Sequence, residues 1–339
     1  MKQFNVAIAG ATGAVGEALI SILEERDFPV AQLFPLASER SAGSTILFRN
    51  KPLKVQNLAE FDFTQAEIGL FSAGGSVSAE FAPKAGQCGC IVIDNTSHFR
   101  YQSDIPLVVP EVNPDSIAMY QNHNIIANPN CSTIQMLVAL KPIHDAVRIK
   151  RISVATYQAV SGTGKAAVEE LAKQTAELLN GRDADCAVYP RQIAFNVLPH
   201  IDQFMDNGYT KEEMKMHWET RKIFGDEEIT VSATCVRVPV FYGHSEAIQI
   251  ETEDKLSAAE ARALLESALG VELMDGLVDG AYPTAFHDSA GQDAVFVGRI
   301  REDFSVPNGL NLWVVSDNVR KGAALNSVQI AEELIKSYL

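Results

Sequence analysis

The sequence predicts an α/β protein of two domains: a dinucleotide-binding domain with a mostly parallel sheet, then an α+β domain with a mixed, largely antiparallel sheet. Three observations lead there. An apolar run, Val6-Ala7-Ile8-Ala9, leads into Gly10-Ala11-Thr12-Gly13-Ala14-Val15-Gly16, after which Ala18, Leu19, Ile22 and Leu23 recur at helical spacing. Short apolar strands then alternate with helical stretches to about residue 130. Beyond about residue 150, strands follow one another with few helices between them. The expected domains are residues 1–130, completed by a terminal helix over 320–339, and residues 131–319.

Composition narrows the function. The chain has 339 residues, enough for two domains, and its 47% hydrophobic and 21% charged content is that of a globular protein. The 28 basic and 43 acidic residues give a formal charge of −15, which disfavours a general nucleic-acid or anionic-membrane surface. Five cysteines (Cys88, Cys90, Cys131, Cys186, Cys235) are odd in number and lack metal-ligand spacing. We read a reducing, cytoplasmic setting and no metal. The chain opens on a strand-like run with no signal peptide, and no apolar run approaches transmembrane length.

Strand, glycine turn and amphipathic helix are the opening of a Rossmann-type unit, here spaced G-x-x-G-x-x-G. Such glycines let backbone approach a pyrophosphate, and the helix N-terminus faces its charge. The next strand-like run, residues 32–37, ends in Ser38-Glu39-Arg40-Ser41. An NAD-selective site would hold the ribose hydroxyls with an acidic residue, a role open to Glu39. Arg40 beside hydroxyls suits a 2′-phosphate, so NADP is the expected cofactor. Residues 67–71 form another buried strand, ending in Ser72-Ala73-Gly74-Gly75, small enough for a cofactor to pass closely. Further strands are expected at residues 91–95, 107–111 and 125–127, with a helix at 78–84. Arg100 follows one of these strands on the ligand-binding edge and is a candidate anion ligand.

The chain is organised around Asn128-Pro129-Asn130-Cys131-Ser132-Thr133, which follows an apolar strand and precedes an apolar helix. Asn130 is a good N-cap, so Cys131 falls in the first helical turn. Unpaired N–H groups and the helix dipole there favour a thiolate, so Cys131 is the candidate nucleophile.

In the second half, residues 152–158 alternate as a strand, end in Ala159-Val160-Ser161-Gly162-Thr163-Gly164, and are followed by a helix over 165–180. Strands are expected at residues 229–240, 244–251, 294–300 and 310–316. A charged helix carrying Glu212, Glu213, Lys215, Arg221 and Lys222 reads, on its own, as a solvated face. Arg237 lies in an otherwise apolar strand and needs an anionic partner from the protein or a ligand. Gly243 breaks the chain just before His244, which is a natural partner for a cysteine nucleophile. The helical residues 323–339 are expected to return to the first domain.

These motifs carry a family resemblance over nearly the full length. They are residues 10–16, Asp94-Asn95-Thr96-Ser97-His98-Phe99-Arg100, Val109-Pro110-Glu111-Val112-Asn113 and residues 128–136 in the first half. In the second they are residues 157–162, 212–216, 237–246 and 314–318. The chain resembles the aspartate-β-semialdehyde dehydrogenases. The resemblance implies reduction of L-aspartyl-4-phosphate by NADPH to L-aspartate-4-semialdehyde and phosphate, in lysine (with diaminopimelate), threonine, methionine and isoleucine biosynthesis. It implies Cys131 as the nucleophile and His244 as the acid/base. Gln158 and Arg237 would bind substrate, Arg237 through the α-carboxylate, and Glu212 would meet its amino group. Arg100 and Lys215 would hold the phosphoryl group, against the solvated reading of the helix. Thr12, Gly13, Ala14, Val15, Arg40, Ser41, Ser161, Gly162 and Asn318 would contact the cofactor. A homodimer or dimer of dimers through the second domain is implied.

Two alternatives stand beside this reading. One is N-acetyl-γ-glutamyl-phosphate reductase, whose nucleophile turn reads Pro-Gly-Cys-Tyr where this chain has Pro129-Asn130-Cys131-Ser132. The other is a non-catalytic paralogue, disfavoured by the presence of Cys131, Gln158, Arg237 and His244 together.

Overall fold

The first strand of the chain is buried almost throughout, as its apolar run requires, and sits inside a six-stranded sheet. The computed structural model describes residues 2–339. Two compact units divide it, one made of residues 2–130 with Ala323–Leu339, the other of Cys131–Gly322. In chain order the first unit holds β1 (Phe4–Ala9), α1 (Ala14–Glu25), β2 (Val30–Ala37), the hairpin β3 (Thr45–Phe48) and β4 (Lys51–Lys54), and β5 (Gln56–Asn57). It continues with β6 (Ile68–Phe71), α2 (Gly75–Gln87), β7 (Ile91–Asp94) and β8 (Ile125–Ala127), and takes α7 (Leu325–Ser337) from the end of the chain.

The first sheet runs β5-β2-β1-β6-β7-β8, parallel throughout. The chain winds outwards from β1 to β2, then resumes on the other side of β1 at β6. That reversal makes a crevice at the carboxyl edge, where such sheets bind ligands. Gly10 turns the chain there with φ of 89° and sits against the backbone of Ser72 and Ala73. A Cβ on Gly16 would come within 2.1 Å of the Gly10 carbonyl oxygen, so only glycine lets α1 start this close to the turn. Helix α7 packs against α1 and β7, and its Leu325, Val328, Ala331 and Leu334 join the core of Val6, Ile8, Leu19 and Leu23. Arg26 clamps Glu332 through two hydrogen bonds of 2.8 Å.

The strand expected at residues 107–111 is not formed; Leu107 makes a single bridge to Ala127. The Asn113 side chain takes the place of a ladder, accepting from Val109 N–H at 2.9 Å and donating to the Leu107 carbonyl at 2.9 Å. Pro106 and Pro110 flank that segment and have no N–H to donate.

The second unit holds α3 (Cys131–Ala146), β9 (Ile149–Gln158), α4 (Lys165–Leu179), α5 (Lys211–Phe224), β10 (Thr230–Arg237), β11 (His244–Thr252), α6 (Ala258–Glu266), β12 (Val271–Leu273), β13 (Val295–Asp303) and β14 (Gly309–Ser316). Its sheet runs β10-β9-β11-β14-β13-β12. β9 pairs parallel with β10 and β12 with β13, while the β9–β11, β11–β14 and β13–β14 pairs are antiparallel. Helix α6, absent from the sequence reading, begins with a capping box between Ser257 and Glu260. Among the described residues no helix is long and apolar enough to cross a membrane.

Glu246 on β11 is an exception in the packed face of this sheet. It is fully buried, and neither carboxyl oxygen completes a hydrogen bond. Burial holds the carboxyl protonated well above the usual range, opposed only by the nearby Gln135 amide. Folded protein therefore keeps a proton that the unfolded chain releases, and stability is lost as pH rises above the ordinary carboxyl value of 4.5. The neutral isostere Glu246→Gln removes this dependence. In denaturant titrations its stability relative to the parent should rise by about 1.4 kcal/mol per pH unit above that value, until the buried group ionises. A gap constant between pH 5 and pH 8 would contradict it.

Candidate active site

A cavity of about 600 Å³ lies at the carboxyl edge of the first sheet. Gly10, Thr12, Gly13, Glu39, Arg40 and Ser41 line it, so the glycine turn and both candidate ribose ligands face one space. Ala14 and Val15 form the first turn of α1. The residues fit a dinucleotide: a glycine cradle, the start of a helix for phosphate, and a cation at the far end.

Asp94, at the end of β7, is buried and organises the turn that follows. It accepts from Ser78 Oγ at 2.6 Å and from Thr96 Oγ1 at 2.7 Å. Burial raises its carboxyl above the usual range, although those hydrogen bonds and Arg100 oppose the shift. Arg100 is buried in the same unit and donates through Nη2 to the Asn95 carbonyl at 2.8 Å.

Cys131 is the first residue of α3 and is partly exposed. Gly322 packs against it so closely that a Cβ there would lie 2.7 Å from the Cys131 Cβ. The turn that presents Gly322 is tied by Asp317, which accepts from the Val319 and Arg320 N–H groups at 2.8 and 2.9 Å. From Ser132, beside the cysteine, side chains are linked across the unit. Gln158 Nε2 donates to Ser132 Oγ at 2.5 Å and to Glu212 Oε1 at 3.1 Å. Lys215 Nζ donates to Glu212 Oε2 at 2.9 Å and to Asp202 Oδ2 at 2.7 Å.

Helix α5 is thus not the solvated face that its charges suggest. A capping box of Thr210 and Glu213 starts it, and Glu212, Lys215 and Glu219 are buried. Lys215 tolerates burial because two carboxylates surround its ammonium. Although burial works against the charge, those partners raise its pKa. Asp202, likewise against burial, is held below the usual range by Lys215.

Arg237 ends β10 opposite Gln158 and is only 4% exposed. Its Nη1 donates to the Ala159 carbonyl at 2.6 Å, while Nε has no partner. Among the described residues, no carboxylate lies within ion-pair distance of it. His244 begins β11 and is fully buried. Ala159 N–H donates to its Nδ1 at 3.0 Å, so a neutral ring carries its proton on Nε2. Burial, and then the charge of Arg237, push this imidazole down to about 3, against opposing effects of Glu212 and the Gly243 carbonyl. Gly162 leaves the space in front of both groups: a Cβ there would meet Arg237 Nη1 at 2.9 Å and His244 Nε2 at 3.2 Å. Asn318 Oδ1 accepts from Ser161 Oγ and from Gly243 N–H, both at 3.0 Å, joining the two turns.

The second unit therefore links Ser132, the chain neighbour of Cys131, to Gln158, Glu212 and Lys215 along one network, with Arg237, His244, Ser161, Gly162 and Asn318 around a second cluster that meets it at Gln158. Sequence reasoning missed Ser132, Asp202, Asp317 and Gly322. Ser132 and Asp317 stood inside recognised motifs; Asp202 and Gly322 gave no local signal.

Comparison with known proteins identifies the family. Residues 5–120 match the family model described as semialdehyde dehydrogenase, NAD binding domain, and residues 140–321 match semialdehyde dehydrogenase, dimerisation domain. The aspartate-semialdehyde dehydrogenase of Shewanella violacea is 63% identical over 337 residues, 99% of each chain. The structure of aspartate semialdehyde dehydrogenase II of Vibrio cholerae complexed with ASA superposes with a TM-score of 0.98, at 62% identity over 100% of both chains. The Candida albicans enzyme solved with NADP gives a TM-score of 0.78 at 26% identity, covering 98% of this chain and 99% of its own. The chain belongs to the aspartate-semialdehyde dehydrogenase family.

Proposed function

We propose that this chain is an NADP-dependent, phosphorylating aspartate-semialdehyde dehydrogenase. It reduces L-aspartyl-4-phosphate to L-aspartate-4-semialdehyde and phosphate through a thioester on Cys131, in the biosynthesis of lysine, threonine, methionine and isoleucine. The observation that carries this reading is Arg237, a buried guanidinium that, among the described residues, no carboxylate neutralises. An α-amino acid brings the missing carboxylate, which Arg binds through paired hydrogen bonds. Its ammonium suits Glu212, and Gln158 lies between the two. The Vibrio cholerae relative solved with ASA supports the substrate.

Cys131 sulfur attacks the acyl carbon, the bond to phosphate breaks, and phosphate leaves with the electron pair. Negative charge developing at the start of α3 is stabilised by its backbone N–H groups. Bound NADPH supplies the hydride that reduces the thioester. As the thiohemiacetal collapses, the carbon–sulfur bond breaks and sulfur regains a proton. His244, uncharged in the free protein, donates from Nε2 to the oxyanion. A substrate carboxylate on Arg237 offsets one cause of the imidazole's low basicity. The ring takes up the thiol proton as sulfur attacks, giving up the Ala159 contact, and returns it to sulfur when the carbon–sulfur bond breaks. Arg100 and Lys215 receive the phosphoryl group in this reading, and Ser161, Gly162 and Asn318 serve the cofactor.

NADP is favoured by Arg40 and Ser41 in the cavity lining and by the NADP complex of the Candida albicans relative. A homodimer or pair of dimers is supported by the dimerisation-domain match and by Tyr157. That ring lies 5.6 Å from the Trp313 ring, tilted at 47°, and is exposed on the sheet face opposite α3. We place the enzyme in the cytoplasm, where Cys131 stays reduced.

The decisive assay is NADP⁺ reduction by L-aspartate-4-semialdehyde. It should require phosphate, and Cys131→Ala should lower it by about 10⁴-fold with secondary structure intact. Activity without phosphate would remove the phosphoryl roles; activity only with the N-acetylglutamate semialdehyde would favour the other reductase. Arg40→Ala should raise KM for NADPH by about 10- to 100-fold, the loss of a charge-assisted hydrogen bond, and change KM for NADH little. Equal effects on both would count against a 2′-phosphate ligand. Gly322→Ala should displace the sulfur and lower kcat by about 10²-fold in the same assay, since ångström-scale misplacement is felt directly in the rate.

A further inference from the structure

Asp202 has no role in the function proposed above, yet it makes the shorter of the two contacts to Lys215. It sits on the loop before α5 with φ of 67°, a left-handed backbone that aspartate and asparagine accept more readily than most residues. Its side chain also accepts from the Gln203 N–H at 2.9 Å, which fixes the carboxylate's direction. It keeps some exposure, with the side chain 29% accessible, while Lys215 is 11% and Glu212 is 6%. Two carboxylates on one ammonium leave this cluster with net negative charge. A cluster in that state repels an oxyanion rather than attracting it.

The two carboxylates differ in what a ligand does to them. Glu212 is shared with Gln158 and buried, so a substrate ammonium at that position relieves its surplus charge. Nothing in such a ligand answers Asp202. Lys215 has three N–H donors and two are taken, so an oxyanion reaches the ammonium only beside the charge of Asp202 or in place of its Oδ2.

We infer that Asp202 is a specificity-determining residue for the anion: its carboxylate is a built-in competitor for Lys215, against whose charge phosphate or an acyl phosphate must bind. The inference rests on the reading of Lys215 as a phosphoryl ligand. It makes phosphate alone a weak ligand, and it speeds release of the phosphate formed in the reductive direction.

The test is Asp202→Asn, which keeps the shape and the left-handed backbone but removes the charge. With saturating semialdehyde and NADP⁺, KM for phosphate should fall about three- to ten-fold, the order expected for one nearby, partly screened charge. KM for the semialdehyde should stay within about two-fold, a guide set by the low value of surface charges elsewhere. Sulfate, as a competitor of phosphate, should inhibit the variant more strongly by the same factor. Asp202→Gly, which also suits the backbone, should shift KM for phosphate in the same direction and covers a folding failure of the first variant. A phosphate KM that rises or stays unchanged in the folded variants overturns the inference, because an anchor for Lys215 would act in that sense. Lys215→Ala separates the two readings: if it leaves KM for phosphate unchanged, the assignment of Lys215 itself is wrong.

Discussion

The second unit is built around buried charge that it leaves unbalanced. Arg237 is enclosed with a backbone carbonyl as its acceptor and no carboxylate. Lys215, Glu212 and Asp202 are unbalanced in the opposite sense, with two anions to one cation. Charges out of water are costly unless paired, so each cluster alone weakens the fold. In the function proposed, a zwitterionic amino acid would answer both, with its carboxylate at Arg237 and its ammonium at Glu212. That is a physical reason for these residues to remain charged inside an apolar sheet.

Strand register holds these charges in place. β10 runs parallel to β9 and sets Arg237 opposite Gln158. β11 runs antiparallel on the other side of β9 and sets Ser245 opposite Tyr157, so His244 emerges at the same end. Gln158 then reaches from the middle strand to Ser132 and Glu212. A one-residue slip of either pairing would turn its site side chain to the other face. The long sheet of the second unit is therefore a ruler for the chemistry as well as a core.

Burial also decides which groups are charged. His244 and Glu246 stand two residues apart on one strand, both fully enclosed, and both are held uncharged by desolvation in opposite senses. The Ala159 N–H then selects the imidazole tautomer. None of this follows from the chain's formal charge of −15, which counts every ionisable residue alike, buried or exposed.

Much was legible locally. Gly10 and Gly16 announced a turn that only glycine fits, the apolar runs of β1, β6, β7 and β8 announced buried parallel strands, and the turn 128–130 announced a helix with Cys131 at its start. Segment 107–111 was misread because an apolar run does not reveal that the Asn113 side chain replaces the ladder. Helix α5 was misread on composition alone, since Glu212 and Lys215 look solvated until Asp202, ten residues away from Glu212, closes over the ammonium. The sequence by itself determined most element types, the Rossmann-type opening and the place of Cys131 at the start of a helix, because propensity, turn chemistry and capping act over a few residues. Tertiary structure alone decided that Gly322 abuts Cys131, that Ala159 fixes His244, and that Asp202 pairs with Lys215. Those depend on burial and on contacts between segments far apart in the chain, where charge and protonation are set by what encloses a group.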